Sequence, residues 1–109
     1  MAYSLELGER IRRALATRSD VTELKMFGGL GFMIRGHMAC GVIGEELMVR
    51  VDPAREPDLL ARPGARPMDF TGRRMKGFLQ IGSEALARDE DLAAWLAEGS
   101  ARAESLPPK

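Results

Sequence analysis

The segment from Lys25 to Gly36 sets four glycines among aromatic, methionine and branched apolar residues, then runs directly into a second apolar stretch, His37 to Ile43. Glycine inside a strand pattern marks a bulge, a tight bend or a close backbone approach. The block therefore calls for a sheet and fixes where that sheet bends. It does not spell a nucleotide loop. Gly28-Gly29-Leu30-Gly31 lacks the Gly-x-Gly-x-x-Gly spacing, leads into a strand pattern rather than a helix, and has no terminal Lys-Ser/Thr.

Short strands on either side of compact turns extend this reading. Leu24 to Phe27, Leu30 to Arg35, Met38 to Ile43 and Glu46 to Val51 alternate as strands. Gly36-His37 is the first compact turn, and Gly44-Glu45 has the Gly-X form of a type II′ hairpin turn. Turns this short require antiparallel neighbours. Before the meander, residues 4 to 18 read as a helix: Ser4 is a plausible N-cap, and Leu7, Ile11, Ala14 and Leu15 share a stripe. After it, Asp52-Pro53 starts a short helix over 54–62, which Pro63-Gly64 stops. Pro67 to Phe70 is a short edge piece, Thr71 to Lys76 a basic loop, and Phe78 to Ile81 the last strand. Ser83 to about Gly99 is helical, with Leu92, Trp95 and Leu96 as its core stripe.

The order α-β-β-β-β-α-β-β-α predicts an α+β fold of two layers, with helices packed on one face of an antiparallel sheet of about five strands. The chain of 109 residues reads as one domain over 1–109, with 1–3 and 105–109 flexible. Phe32 and Ile34 share one face, as do Leu47, Val49 and Val51. Met33, Arg35, Met48 and Arg50 take the other.

Formal net charge is zero, so there is no global electrostatic footprint for nucleic acid or membrane. The charge is uneven: residues 62–78 carry a net +4 and residues 83–99 a net −4. A single cysteine, Cys40, rules out an internal disulfide and suits a reducing compartment. No signal pattern and no apolar run of the roughly 20 residues that span a bilayer occurs. The expectation is a cytoplasmic, bacterial-type protein without membrane contact.

Chemistry is sparse. His37 stands in a turn without a second ligand at metal spacing, and Cys40 is a small core residue lying between Ala39 and Gly41. Asp69, between Met68 and Phe70, is flanked by Arg66 and Arg73 and reads as an ion-pair partner. No nucleophile–base pair or metal cluster assembles, so no catalytic, metal or cofactor residues are expected. What remains is a surface. Arg73, Arg74 and Lys76, bracketed by Gly72 and Gly77, could grip a phosphate or an acidic partner, although two or three such contacts bind nucleic acid only weakly. Six of the seven methionines lie between residues 26 and 75, and methionine both fills cores and lines adaptable interfaces. The candidate partner or ligand surface is Met33, Arg35, Met48, Arg50, Arg73, Arg74 and Lys76.

Four blocks carry a resemblance: Lys25-Met26-Phe27-Gly28-Gly29 with Phe32-Met33 and Gly36; Cys40-Gly41-Val42 with Leu47-Met48-Val49-Arg50-Val51; Arg66 to Arg73 with Met75-Lys76-Gly77-Phe78; and Leu92-Ala93-Ala94-Trp95. Together they resemble the N-terminal domain of TfoX/Sxy-family proteins, in the family's stand-alone form. The resemblance implies a small α+β domain with helices on one side of an antiparallel sheet. It also implies a regulatory role, because the family takes its name from regulators of natural competence that act with a cyclic-AMP-responsive activator. Those regulators carry a further C-terminal domain with helix-hairpin-helix character, and none of these blocks corresponds to it. The family motif brings no catalytic residue. The expected function is a non-enzymatic interaction module, docking a protein partner or a second copy through its sheet. The alternative is a domain that binds a small anionic ligand or nucleic acid through the basic 72–77 stretch.

Overall fold

Ser4 opens the first helix by accepting a hydrogen bond from the Leu7 amide, 3.1 Å away, on its hydroxyl oxygen. In a computed structural model, which describes residues 3–26, 28–70 and 72–107, this helix α1 is Leu5–Ala14 and buries Leu7, Gly8 and Ile11. The side chains of Met26, Phe70, Arg73, Arg74 and Met75 lie outside the described set. α1 is shorter than the sequence pattern suggests. Residues 15–17 turn instead, and the Arg18 guanidinium closes on the Asp20 carboxylate at 3.0 Å, which frees the chain to enter the sheet early.

Strand β1 (Val21–Met26) accordingly begins before Leu24. β2 (Gly29–Ile34), β3 (His37–Ile43) and β4 (Glu46–Arg50) follow as an antiparallel meander. The first tight turn is Arg35-Gly36 rather than Gly36-His37: φ is 54° at Arg35 and 85° at Gly36, and a type I′ hairpin needs both positive. Gly44, with φ 60°, fills the first position of the second turn as a type II′ hairpin requires. Between these turns the β2–β3 ladder slips, with Phe32 opposite Cys40 but Met33 opposite Met38, so Ala39 is the extra residue of a bulge.

α2 (Glu56–Leu60) leads to β5 (Ala65–Phe70) and β6 (Arg73–Ile81). Here the expected basic loop gives way to strand. Arg73 to Lys76 belong to β6, where Arg73 pairs with Phe70 and Arg74 with Asp69, because the ladder with β5 overrides local polarity. Among the described residues the sheet has six strands in the order β1-β2-β3-β4-β6-β5. A 3₁₀ turn (Ser83–Leu86) and helix α3 (Asp89–Ser105) complete the chain. α3 runs past Gly99, which is buried against β3 instead of ending the helix.

The helices gather on one face. Leu7, Ile11, Leu59, Leu86, Leu92, Trp95 and Leu96 pack on Leu30, Phe32, Cys40, Val42, Leu47, Val49, Leu79 and Ile81. A smaller cluster, Ile34, Ala39 and Ala103, fixes the end of α3 beyond the bulge. This is the two-layer α+β architecture the pattern implies.

Candidate functional site

Among the described residues every helix packs on one side, and no helix covers the other face of the sheet, the bare face. Register assigns its rows. Leu24, Gly31, Gly41, Met48, Gln80 and Arg66 lie opposite one another across six strands. A second row joins Thr22, Met33 and Met38, and at the far side Arg50 pairs with Phe78. Gly31 and Gly41 form a floor without side chains. A Cβ on Gly41 would stand 2.6 Å from the Leu30 carbonyl oxygen and 2.8 Å from Met48 Cε, so Met48 lies across that floor. This is why Met48 is only 5% exposed with no helix above it. Met33, Met38, Ile43 and Phe78 are half-buried, and Leu24 is exposed.

The candidate residues from sequence thus separate. Met33, Met48 and Arg50 share the bare face. Arg35 does not; it is a turn residue whose guanidinium sits 3.6 Å from Asp20. Lys76 is exposed on β6, while the side chains of Arg73 and Arg74 fall outside the described residues. Arg50 is the distinctive cation. Its guanidinium carbon lies 5.6 Å from the Phe78 ring centroid, it has no carboxylate partner among the described residues, and burial, with Arg102 nearby, holds its pKa below the usual arginine value. Elsewhere on this face Glu46 accepts from Arg66 and, at 2.6 Å, from Gln80, which holds its carboxyl below the usual carboxylate range.

On the helix side, a cavity of about 530 Å³ between α1 and α3 is lined by Glu6, Arg10, Arg13, Asp89 and Leu92. Sequence reasoning did not single out these residues, because only the docking of α3 beside α1 joins them. Arg10 is already committed to the Leu86 carbonyl at 2.7 Å and to Asp89 at 3.1 Å, so the lining is of mixed charge with one of its cations already paired.

His37 opens β3 half-buried. It stands 2.5 Å from the Pro107 carbonyl through Nε2, which must carry the proton because a carbonyl oxygen only accepts. Cys40 is 1% exposed, and burial pushes its thiol up to about 12. The folded protein should therefore resist thiol reagents at pH 8 and react as fast as a free thiol once unfolded in urea. Rapid labelling in the native state would show that β3 opens, since no thiolate forms in the packed core. Among the described residues no cluster of three His, Cys, Asp or Glu could hold a metal, and no helix is long and apolar enough to cross a membrane.

The family model described as the TfoX N-terminal domain matches residues 13–103. No curated protein matches the chain. No solved structure matches it either.

Proposed function

We propose that this chain, which belongs to the TfoX N-terminal domain family, is a non-enzymatic protein-interaction module of regulatory type, working through the uncovered side of its sheet. One observation carries the reading. The face opposite the helices presents Leu24, Met33, Met38, Ile43 and Phe78 around a glycine floor, an adaptable apolar lining with few charges at its centre. The regulatory role is read from the family alone. A cytoplasmic setting belongs to the same reading, supported by a single free thiol with no disulfide to form.

Sedimentation velocity over a wide concentration range tests it. If copies dock face to face, wild type self-associates and Met33→Glu, on the half-buried rim of the face, shifts the population to monomer while leaving the thermal melt in place. A wild type that stays monomeric throughout would overturn docking of a second copy. A dimer that Met33→Glu leaves intact would move the interface off this face.

A second reading is favoured by Arg50. A half-buried cation without a carboxylate partner among the described residues, on the same sheet as Lys76, Arg73 and Arg74, suits an anionic ligand or a nucleic-acid backbone. Fluorescence anisotropy with a labelled duplex at low and high salt separates the two readings. Weak, salt-sensitive binding lost in Arg50→Ala supports the second, and no binding at low salt removes it.

A further inference from the structure

The two outer strands of the sheet are unlike. β5 contains Pro67, which has no N–H, and its ladder with β6 shifts between Pro67 and Asp69, so its rim is broken. β1 pairs with β2 in unbroken register from Val21–Ile34 to Met26–Gly29 and contains no proline. Its outward row of N–H and C=O groups is regular and unpaired within the sheet.

We propose that β1 is a homodimerisation edge, on which two copies pair antiparallel about a twofold axis through Leu24, joining their sheets into one. This goes beyond the face-docking reading above and does not depend on it: a dimer paired along β1 should survive Met33→Glu.

The register follows from charge and face. A twofold axis perpendicular to the sheet keeps each face on its own side, so opposed residues share a face and the axis passes through a residue. An axis at Glu23 sets that carboxylate against its own copy, and an axis at Lys25 does the same to the ammonium; like charges directly opposite are destabilising. An axis at Thr22 runs the pairing past the start of the strand. An axis at Leu24 places Glu23 opposite the partner's Lys25 twice, on the helix side of both sheets. There Arg12 already fixes the Glu23 carboxylate with two bonds of 2.6 Å, while Lys25 is exposed with no carboxylate of its own among the described residues. The same axis sets Leu24 against Leu24 on the bare face. Leu24 is 50% exposed, one of two large exposed apolar residues among those described, and dimerisation removes it from water.

Cysteine crosslinking reads the register. Cys40 is buried, so Leu24→Cys supplies the one accessible thiol. Its copy would stand about 4.5–5.5 Å away between Cα atoms, within disulfide range. Thr22→Cys lies on the same face, but its copy would be about 13 Å distant, four residues along the strand. Under mild oxidant Leu24→Cys should run as a covalent dimer on a non-reducing gel and Thr22→Cys as a monomer. Lys25→Glu should raise the dimer dissociation constant about tenfold, by turning two attractive pairs into repulsive ones. Equal crosslinking of both cysteine variants would overturn the register. A wild-type dimer that Met33→Glu breaks and Leu24→Cys does not link would overturn β1 pairing and leave the face as the docking surface. A monomeric wild type with no Leu24→Cys link would overturn β1 pairing and docking of a second copy on the face alike. Glu23 and Lys25 would then blunt the edge, as charges on free strands do.

Discussion

Met48→Asp lowers unfolding free energy by about 4 kcal/mol, the largest effect expected of any single substitution on the bare face. Met48 is 5% exposed and rests over Gly41, with its Cε 2.8 Å from where a Gly41 Cβ would be. Removing a buried methionine side chain costs about 1.5–3 kcal/mol in transfer free energy. A carboxylate in the same place has no cation opposite it, since its register neighbours are Gly41 and Gln80, and must be desolvated or protonated, adding about 1–3 kcal/mol. That consumes much of the roughly 5–15 kcal/mol holding a domain of this size. Urea denaturation followed by circular dichroism measures it. Met48→Leu should stay within about 1.5 kcal/mol of wild type, because volume and polarity are kept. An aspartate variant as stable as wild type would mean the methionine does not cover the glycine floor. The bare face therefore divides by role: Met48 supports it, and Met33 and Leu24 are available to a partner.

Gly99→Ala has the second largest expected effect, and its sign is diagnostic. In an exposed helix interior, alanine in place of glycine stabilises by about 1 kcal/mol. At Gly99 the new Cβ would lie 2.3 Å from the Ala39 carbonyl oxygen and 3.1 Å from Val49 Cγ2. A backbone oxygen cannot swing away, so α3 must lift from the sheet and thin the packing of Trp95, Leu96 and Ala103. Overpacking costs about 1–3 kcal/mol, and the loss of contact along α3 carries the net change to about 2 kcal/mol of destabilisation. A melting temperature lower by about 10 °C is expected for a domain near this length. A temperature at or above wild type would mean that α3 does not approach β3 at this point.

These two positions also show how far local pattern reaches. Gly99 looks like the end of a helix because glycine commonly follows one, yet α3 continues to Ser105. The glycine is there for the close carbonyl of Ala39, the extra residue of a bulge in another strand, and nothing near residue 99 encodes that bulge. Met48 alternates onto the face opposite Leu47 and Val49, so it reads as a surface residue. Its burial depends on two glycines from β2 and β3 meeting beneath it. The stretch Arg73 to Lys76 is as polar as a loop and becomes strand only because β5 is there to pair with it. Arg10 and Arg13, neighbours on α1, meet Asp89 only through the docking of α1 against α3.

Elements whose signals are local can be read from residue order alone. The Ser4 cap, the Gly44 turn and the two-residue spacing of the hairpins fix backbone dihedrals within a few residues, and period-two alternation at Phe32, Ile34, Leu47 and Val49 decides which side of each strand is buried. The family is legible for the same reason, because its blocks are runs of such signals in order. That β6 enters between β4 and β5, that β1 is left as the regular outer strand, and which of the candidate residues share a face follow from the assembled sheet. Strand neighbours are chosen by pairing across long separations in the chain, where the free energy depends on which partner completes the ladder and covers the core, and no short window of residues contains that choice.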